Sequence, residues 1–221
     1  MALLVDSRTV RTSIIVAVAG LLVAVSATAC TPQGDPAIGS EGFHDDFNRR
    51  DLGALWTNTG GSYQIRDGKL WIRGAHNKPL WLRRRLPRDA RIEVTVQSDS
   101  PDGDIKVEAW GDGTSRAESV EYTATSYVAI FGGWGNSLNV LARMEEHGHD
   151  RVVGVRKRVE PHTAYHLKLE RRGNVISMWV DGELLARMDD PDPLEGRGHE
   201  YFAFNEWESE LWFDDLRITP L

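Results

Sequence analysis

"YHLKLERRGNVISMWVDGELL", residues 165–185, decides how the rest of the chain is read. Polar and apolar side chains alternate on both sides of Arg171-Arg172-Gly173-Asn174, and again up to Asp181-Gly182. A period of two is the pattern of a strand with one face in a core and the other outside. The two breaks carry residues that accept the backbone of tight hairpin turns. The stretch therefore predicts three antiparallel strands joined by two hairpins. The same alternation extends outward. "RIEVTV", residues 91–96, places Ile92, Val94 and Val96 on one face. "DIKVEAW", residues 104–110, places Ile105, Val107 and Ala109 on one face and Asp104, Lys106, Glu108 and Trp110 on the other. No segment carries a strong helical period, and no internal repeat is evident. Many short strands separated by turn residues predict an all-β, two-sheet antiparallel sandwich over residues 43–221.

The composition fits one exported domain. The chain has 221 residues, 41% hydrophobic and 27% charged, with a formal net charge of −7. That sign argues against nucleic acid or an anionic membrane surface as a general partner. The run Arg83-Arg84-Arg85, with Arg88 and Arg91, reads as a solvated strand face. Residues 1–29 have the layout of a signal peptide: Arg8 and Arg11, an apolar run over residues 14–25, then Ala27-Thr28-Ala29 before Cys30. The apolar run is shorter than the ~20 residues of a membrane span. This resembles a bacterial lipoprotein signal, with Cys30 as the lipidated residue; an ordinary secretory signal cut near the same place is the alternative. Cys30 is the only cysteine, so the domain holds together without a disulfide. Thr31 after it favours the outer membrane in a host that has one, which places the protein in the cell envelope, at the outer membrane or periplasmic face. Membrane contact is expected through the lipid anchor only. Residues 30–42, rich in Pro, Gly and small residues, read as a flexible tether.

"FHDDFNRRDLGALWTNTGGSYQIRDGKLWI", residues 43–72, resembles the opening of bacterial concanavalin A-like lectin/glucanase domains. "YHLKLERRGNVISMWVDGELLARMDDPDPLEGRG", residues 165–198, with "LWFDDLRI", residues 211–218, resembles their closing half. The resemblance implies a laminin-G-like jelly roll with one concave face, which the superfamily uses for glycans. Its members include lectins, glycosidases and lipoproteins, so fold alone leaves the function open. The Glu-x-Asp-x-x-Glu strand of the glucanase branch is absent; "DGDIKVE", residues 102–108, is the nearest stretch and does not match. No cofactor is called for by any motif. Jelly rolls of this superfamily often hold a structural calcium, and Asp45, Asp46, Asp214 and Asp215 are oxygen donors of the right type. They could equally cap turns or pair with nearby arginines.

Alternation also sorts the candidate site. In "NVLARMEEH", residues 139–147, Val140, Ala142 and Met144 are expected in the core, and Arg143, Glu145 and His147 outside. In "YFAFNEW", residues 201–207, Phe202 and Phe204 are expected inside, Asn205 and Trp207 outside. Lys106 and Glu108 form a third outward row. The glycine turn "GGWGN", residues 132–136, would set Trp134 and Asn136 at the rim. Lys106, Glu108, Trp134, Asn136, Arg143, Glu145, His147, Asn205 and Trp207 are thus the expected ligand-binding set. A sugar offers apolar C–H faces to aromatic rings and hydroxyls to amides, carboxylates and cations. A solvated, salt-bridged sheet face has the same composition. Glu108, Glu145 and His147 are the candidates if the face is catalytic, as a hydrolase or lyase. A protein-interaction module is the third possibility.

Overall fold

The computed structural model describes residues 34–119 and 121–221; Cys30 and the signal segment lie outside the described residues. Fifteen strands follow in chain order among the described residues. The first half of the chain supplies β1 (Phe43–Asp45), β2 (Trp56–Asn58), β3 (Gln64–Arg66), β4 (Lys69–Arg73), β5 (Leu80–Leu82), β6 (Ala90–Ser98) and β7 (Ile105–Gly111). The second half supplies β8 (Tyr127–Gly132), β9 (Leu138–Arg143), β10 (Val152–Val153), β11 (Ala164–Arg172), β12 (Val175–Val180), β13 (Glu183–Asp189), β14 (Tyr201–Asn205) and β15 (Glu210–Pro220). One sheet has the order β13-β12-β11-β6-β15-β4-β3, with β1 also pairing β15. The other runs β10-β9-β8-β7-β14-β5-β2. All pairings between named strands are antiparallel, and the two sheets enclose one core, as the alternation predicted.

The deciding stretch folds as expected. Val180 pairs with Glu183 across Asp181 (φ 52) and Gly182 (φ 79), so both turn residues take the left-handed backbone of a primed hairpin turn. Arg172 pairs with Val175 across Gly173 (φ 59) and Asn174. The twist of these turns matches that of the strands they join, which fixes the register. Leu167 and Leu169 then lie opposite Val94 and Ile92, and all four are buried.

Aromatic side chains fill the centre of the sandwich. The Phe204 ring lies 4.4 Å from Phe213, 5.0 Å from Phe202, 5.4 Å from Trp56 and 6.1 Å from Phe47. These rings come from both sheets and from the loop after β1, so this cluster is where the layers lock.

Two expectations need correction. Residues 34–42 are not a free tether. Ala37 forms a parallel bridge with Arg85, the Ile38 amide donates to the Arg85 carbonyl at 2.9 Å, and Ile38 is buried. Arg85 in return donates its amide to Pro36, and Arg83 pairs with Asp35, so part of the basic run holds this segment down. Trp110 does not share the outward row of Lys106 and Glu108. It takes φ 57, the pairing with β14 shifts there, and the ring turns into the core, its indole donating to the Pro87 carbonyl at 3.1 Å. One residue beyond the regular ladder reverses the side on which the next side chain emerges.

Phe204→Ala should lower the unfolding free energy by about 3–5 kcal/mol, the range for emptying a packed aromatic site. Urea unfolding followed by tryptophan fluorescence would measure it, and a loss near zero would show that the ring does not join the layers.

Candidate functional site

The site is built on the outer face of the β7 sheet. Register places Trp81, Ala203, Glu108, Val128 and Ala142 in one row across β5, β14, β7, β8 and β9. The next row is Asn205, Lys106, Ile130 and Val140. Because β8 and β14 both run antiparallel to β7, the segments leaving them meet at its start. The Asp104 amide donates to the Gly132 carbonyl at 2.9 Å, and the Trp207 amide to Asp104 Oδ2 at 3.0 Å. Trp134, on the turn after β8, and Trp207, after β14, therefore line the same groove beside the first residues of β7. The groove encloses about 770 Å³, and Asn77, Asp104, Lys106 and Glu146 form part of its lining. A smaller hollow of about 260 Å³, lined in part by Tyr122, Thr123 and Glu145, shares Asn77, Glu146 and His147 with it.

The floor is a buried polar network. Lys106 is 2% exposed; its ammonium donates to Asn77 Oδ1 at 2.9 Å and lies 2.8 Å from Glu146 Oε2. Burial works against its charge, but the carboxylates of Asp104 and Glu146 more than offset that, and its pKa lies above the ordinary lysine value. Burial raises Asp104 despite the nearby ammonium. Glu108 is sealed: it accepts from Ser126 Oγ at 2.6 Å, Asn205 Nδ2 at 2.7 Å and the Tyr122 hydroxyl at 3.0 Å. Burial still leaves its pKa raised. Glu206, also fully buried, accepts the Ala75 amide, and burial pushes its pKa up to about 8.

The expected ligand set divides accordingly. Lys106, Trp134, His147 and Trp207 line the groove, and Glu145 lines the hollow beside it. The His147 ring meets Trp134 edge-on at 5.4 Å, and the His76 ring meets Trp207 edge-on at 4.9 Å. Glu108 and Asn205 do share the face, but both are 0% exposed and every polar atom of the Asn205 amide is engaged, so they hold the floor rather than touch a ligand. Asn136 is also buried; it clamps the loop carbonyls of Pro101 and Val159 and accepts the Val159 amide.

Arg143 is on the wrong side. It pairs with Tyr127 across β8 and β9, on the inner face with Leu141, and binds Asp190 at 3.1 Å. Arg143 and Asn205 thus face opposite sides of the sheet, and the expected orientation of β9 is inverted. The reason is a second, smaller apolar cluster of Ala124, Val128, Ile130, Val140 and Ala142 on the outer face, against which Tyr122 and Trp134 pack. With apolar residues on both faces, alternation no longer distinguishes inside from outside. Met144 then adopts φ 63, packs against the main core, and returns Glu145 and Glu146 to the groove side.

The four aspartates expected at a calcium site do not converge. Asp45 is buried and accepts from Arg49, from the Trp56 indole at 2.9 Å and from the Phe47 amide at 2.9 Å. Asp46 and Asp214 each accept a nearby backbone amide, and Asp215 pairs with Arg217 and His44. Among the described residues no group of three or more His, Cys, Asp or Glu is arranged to hold a metal. The turn-capping and arginine-pairing alternative describes these residues.

Asn77, Tyr122 and Glu146 belong to the site although alternation did not single them out, whereas Asp104 lies in the outward row that alternation gave. Asn77 sits in a left-handed loop (φ 56) before β5, and its position over β7 follows from the strand order rather than from local pattern.

No family model matches the chain. Over 160 residues it is 26% identical to an extracellular exo-alpha-L-arabinofuranosidase of Streptomyces chartreusis, covering 68% of this chain and 17% of that protein. The chain thus spans about a sixth of that relative's length. Among solved structures it is similar to the carbohydrate-binding module CBM66 of Bacillus subtilis, at 15% identity and TM-score 0.55, over 75% of this chain and 95% of the module. It is also similar to a laminarinase of Flavobacterium sp. UMI-01, at 9% identity and TM-score 0.55, over 80% and 98%. The carbohydrate recognition domain of Emp47p matches at 12% identity and TM-score 0.55, over 80% and 93%. The chain shares with these solved structures a two-sheet antiparallel jelly-roll fold.

Glu206 gives this site a pH signature. Its pKa is raised from 4.5 to about 8, so between those values the folded state keeps a proton that the unfolded chain has released. Its contribution is fully present below 4.5 and is lost as pH rises through about 8. Glu206→Gln keeps an acceptor for the Ala75 amide and removes the titration. Relative to wild type, the variant should gain stability between pH 5 and pH 8, by up to roughly 3–5 kcal/mol. Parallel pH dependence of the two unfolding midpoints would show that Glu206 ionises normally.

Proposed function

We propose that this is an exported, lipid-anchored protein that binds carbohydrate in the groove between Trp134 and Trp207. The observation that carries the reading is the pairing of those indoles with a floor of fixed polar groups at the start of β7. Aromatic walls suit the C–H faces of a sugar ring, and the amide, carboxylates and ammonium below suit its hydroxyls. The carbohydrate-binding module, recognition domain and glycosidase among the similar proteins support the same reading. Binding is favoured over catalysis because Glu108, one of the expected catalytic carboxylates, is sealed by three donors, Ser126, Asn205 and Tyr122, and lines neither the groove nor the hollow.

Trp207→Ala and Trp134→Ala should each weaken glycan binding tenfold or more while the β-rich circular dichroism spectrum is kept. The measurement is a glycan array followed by calorimetry on the soluble domain. Full binding by both variants would remove the groove from the function. Separately, Cys30→Ser should move the protein from the membrane to the soluble fraction; retention of the variant in the membrane would end the lipid-anchor reading.

A further inference from the structure

The groove and the hollow beside it meet at a ridge formed by Asn77, Glu146 and His147. Glu146 is 9% exposed, its Oε2 is paired with the Lys106 ammonium at 2.8 Å, and its carboxylate lines both compartments. An ionised carboxylate offers roughly four acceptor sites, so pairing with one ammonium leaves capacity for a ligand hydroxyl. Glu146 lies at the boundary of both compartments, where a ligand passing from one to the other would cross. The compartments differ in chemistry. Lys106 and Arg73 line the groove. The hollow has the carboxylates of Glu121, Glu145 and Glu146 and neither lysine nor arginine.

Resting on the carbohydrate reading, we propose that the two compartments are consecutive subsites: Glu146 accepts a hydroxyl at the junction, and the hollow takes an uncharged sugar unit and rejects an anionic one. The groove stacks one unit between its indole walls. The next unit enters the hollow, where Glu145 accepts hydroxyl donors. A uronate there would face three carboxylates with no cation among the lining side chains except a protonated His147.

The test uses the folded full chain and a defined panel: neutral arabino-, xylo-, gluco- and fructo-oligosaccharides of one to four units, and oligogalacturonides of the same lengths. In the neutral series that binds, affinity should rise at least tenfold from one unit to three. Glu145→Ala should cut that length gain to a few-fold or less. Trp207→Ala should weaken every length by a similar factor and leave the gain in place. Oligogalacturonides should bind at least tenfold more weakly than the neutral series. A length-independent affinity, an unchanged gain in Glu145→Ala, or equal binding of oligogalacturonides would each overturn the subsite proposal while leaving carbohydrate binding intact. No binding by any series would overturn both.

Discussion

The ammonium of Lys106 is buried in the face of a β-sheet, and much of the site is arranged to keep it charged there. An unpaired cation in that position would be prohibitively expensive, so partners must converge on it. Asn77 arrives from the loop before β5, Glu146 from the turn after β9, and Asp104 from the residue before β7. Each lies on a different segment, and the same segments carry the groove walls. The Trp207 amide is held by Asp104, and the Trp207 carbonyl accepts the His76 amide one residue before Asn77. Matching one buried charge thus sets the positions of the loops that shape the groove.

The same constraint explains why β7 is buried at every residue. Its inner face, Ile105, Val107 and Ala109, belongs to the main core. Its outer face lies under polar groups that bond one another: Glu108 under Tyr122, Ser126 and Asn205, and Lys106 under Asn77 and Glu146. A hydrogen-bonded network of this kind specifies one arrangement more strictly than apolar packing does. Glu206, with an oxygen that lacks a protein donor, is where it stays open.

The fold was most legible where a strand meets solvent on one face only. In β6 and β11 the alternation maps directly onto burial, and the hairpin dipeptides fixed the register. Legibility failed where that condition failed. In β9 the outer face, Leu138, Val140 and Ala142, is more apolar than the inner face, Asn139, Leu141 and Arg143, so Arg143 was assigned to the wrong side. At Trp110 a single left-handed residue moved the ring into the core. The tether-like composition of residues 34–42 held no sign of the bridge to Arg85, because backbone pairing needs no particular side chains. Trp134, Trp207 and Lys106 were legible from a glycine turn and two alternating strands. Asn77 and Glu146 were not, since loops far apart in sequence reach β7 only through the strand order.

The groove owes its readiness to that topology. Both tryptophans are fixed by backbone bonds rather than by side-chain packing alone. The turn carrying Trp134 closes through the Ser137 amide to the Gly133 carbonyl at 2.9 Å and the Ser137 hydroxyl to the Trp134 carbonyl at 2.7 Å. Trp134 and Gly135 hold left-handed angles of φ 51 and 62, and a Cβ on neighbouring Gly132 would meet Val159 Cγ2 at 2.5 Å. A ligand entering between walls already held in place loses less free energy to ordering the protein. Affinity is then governed by the contacts the ligand makes and by the charge it brings. In this groove an anion meets Lys106, already matched by carboxylates, and Arg73, beside the carboxylates of Asp102, Asp104, Glu146 and Glu208, a balance that disfavours it.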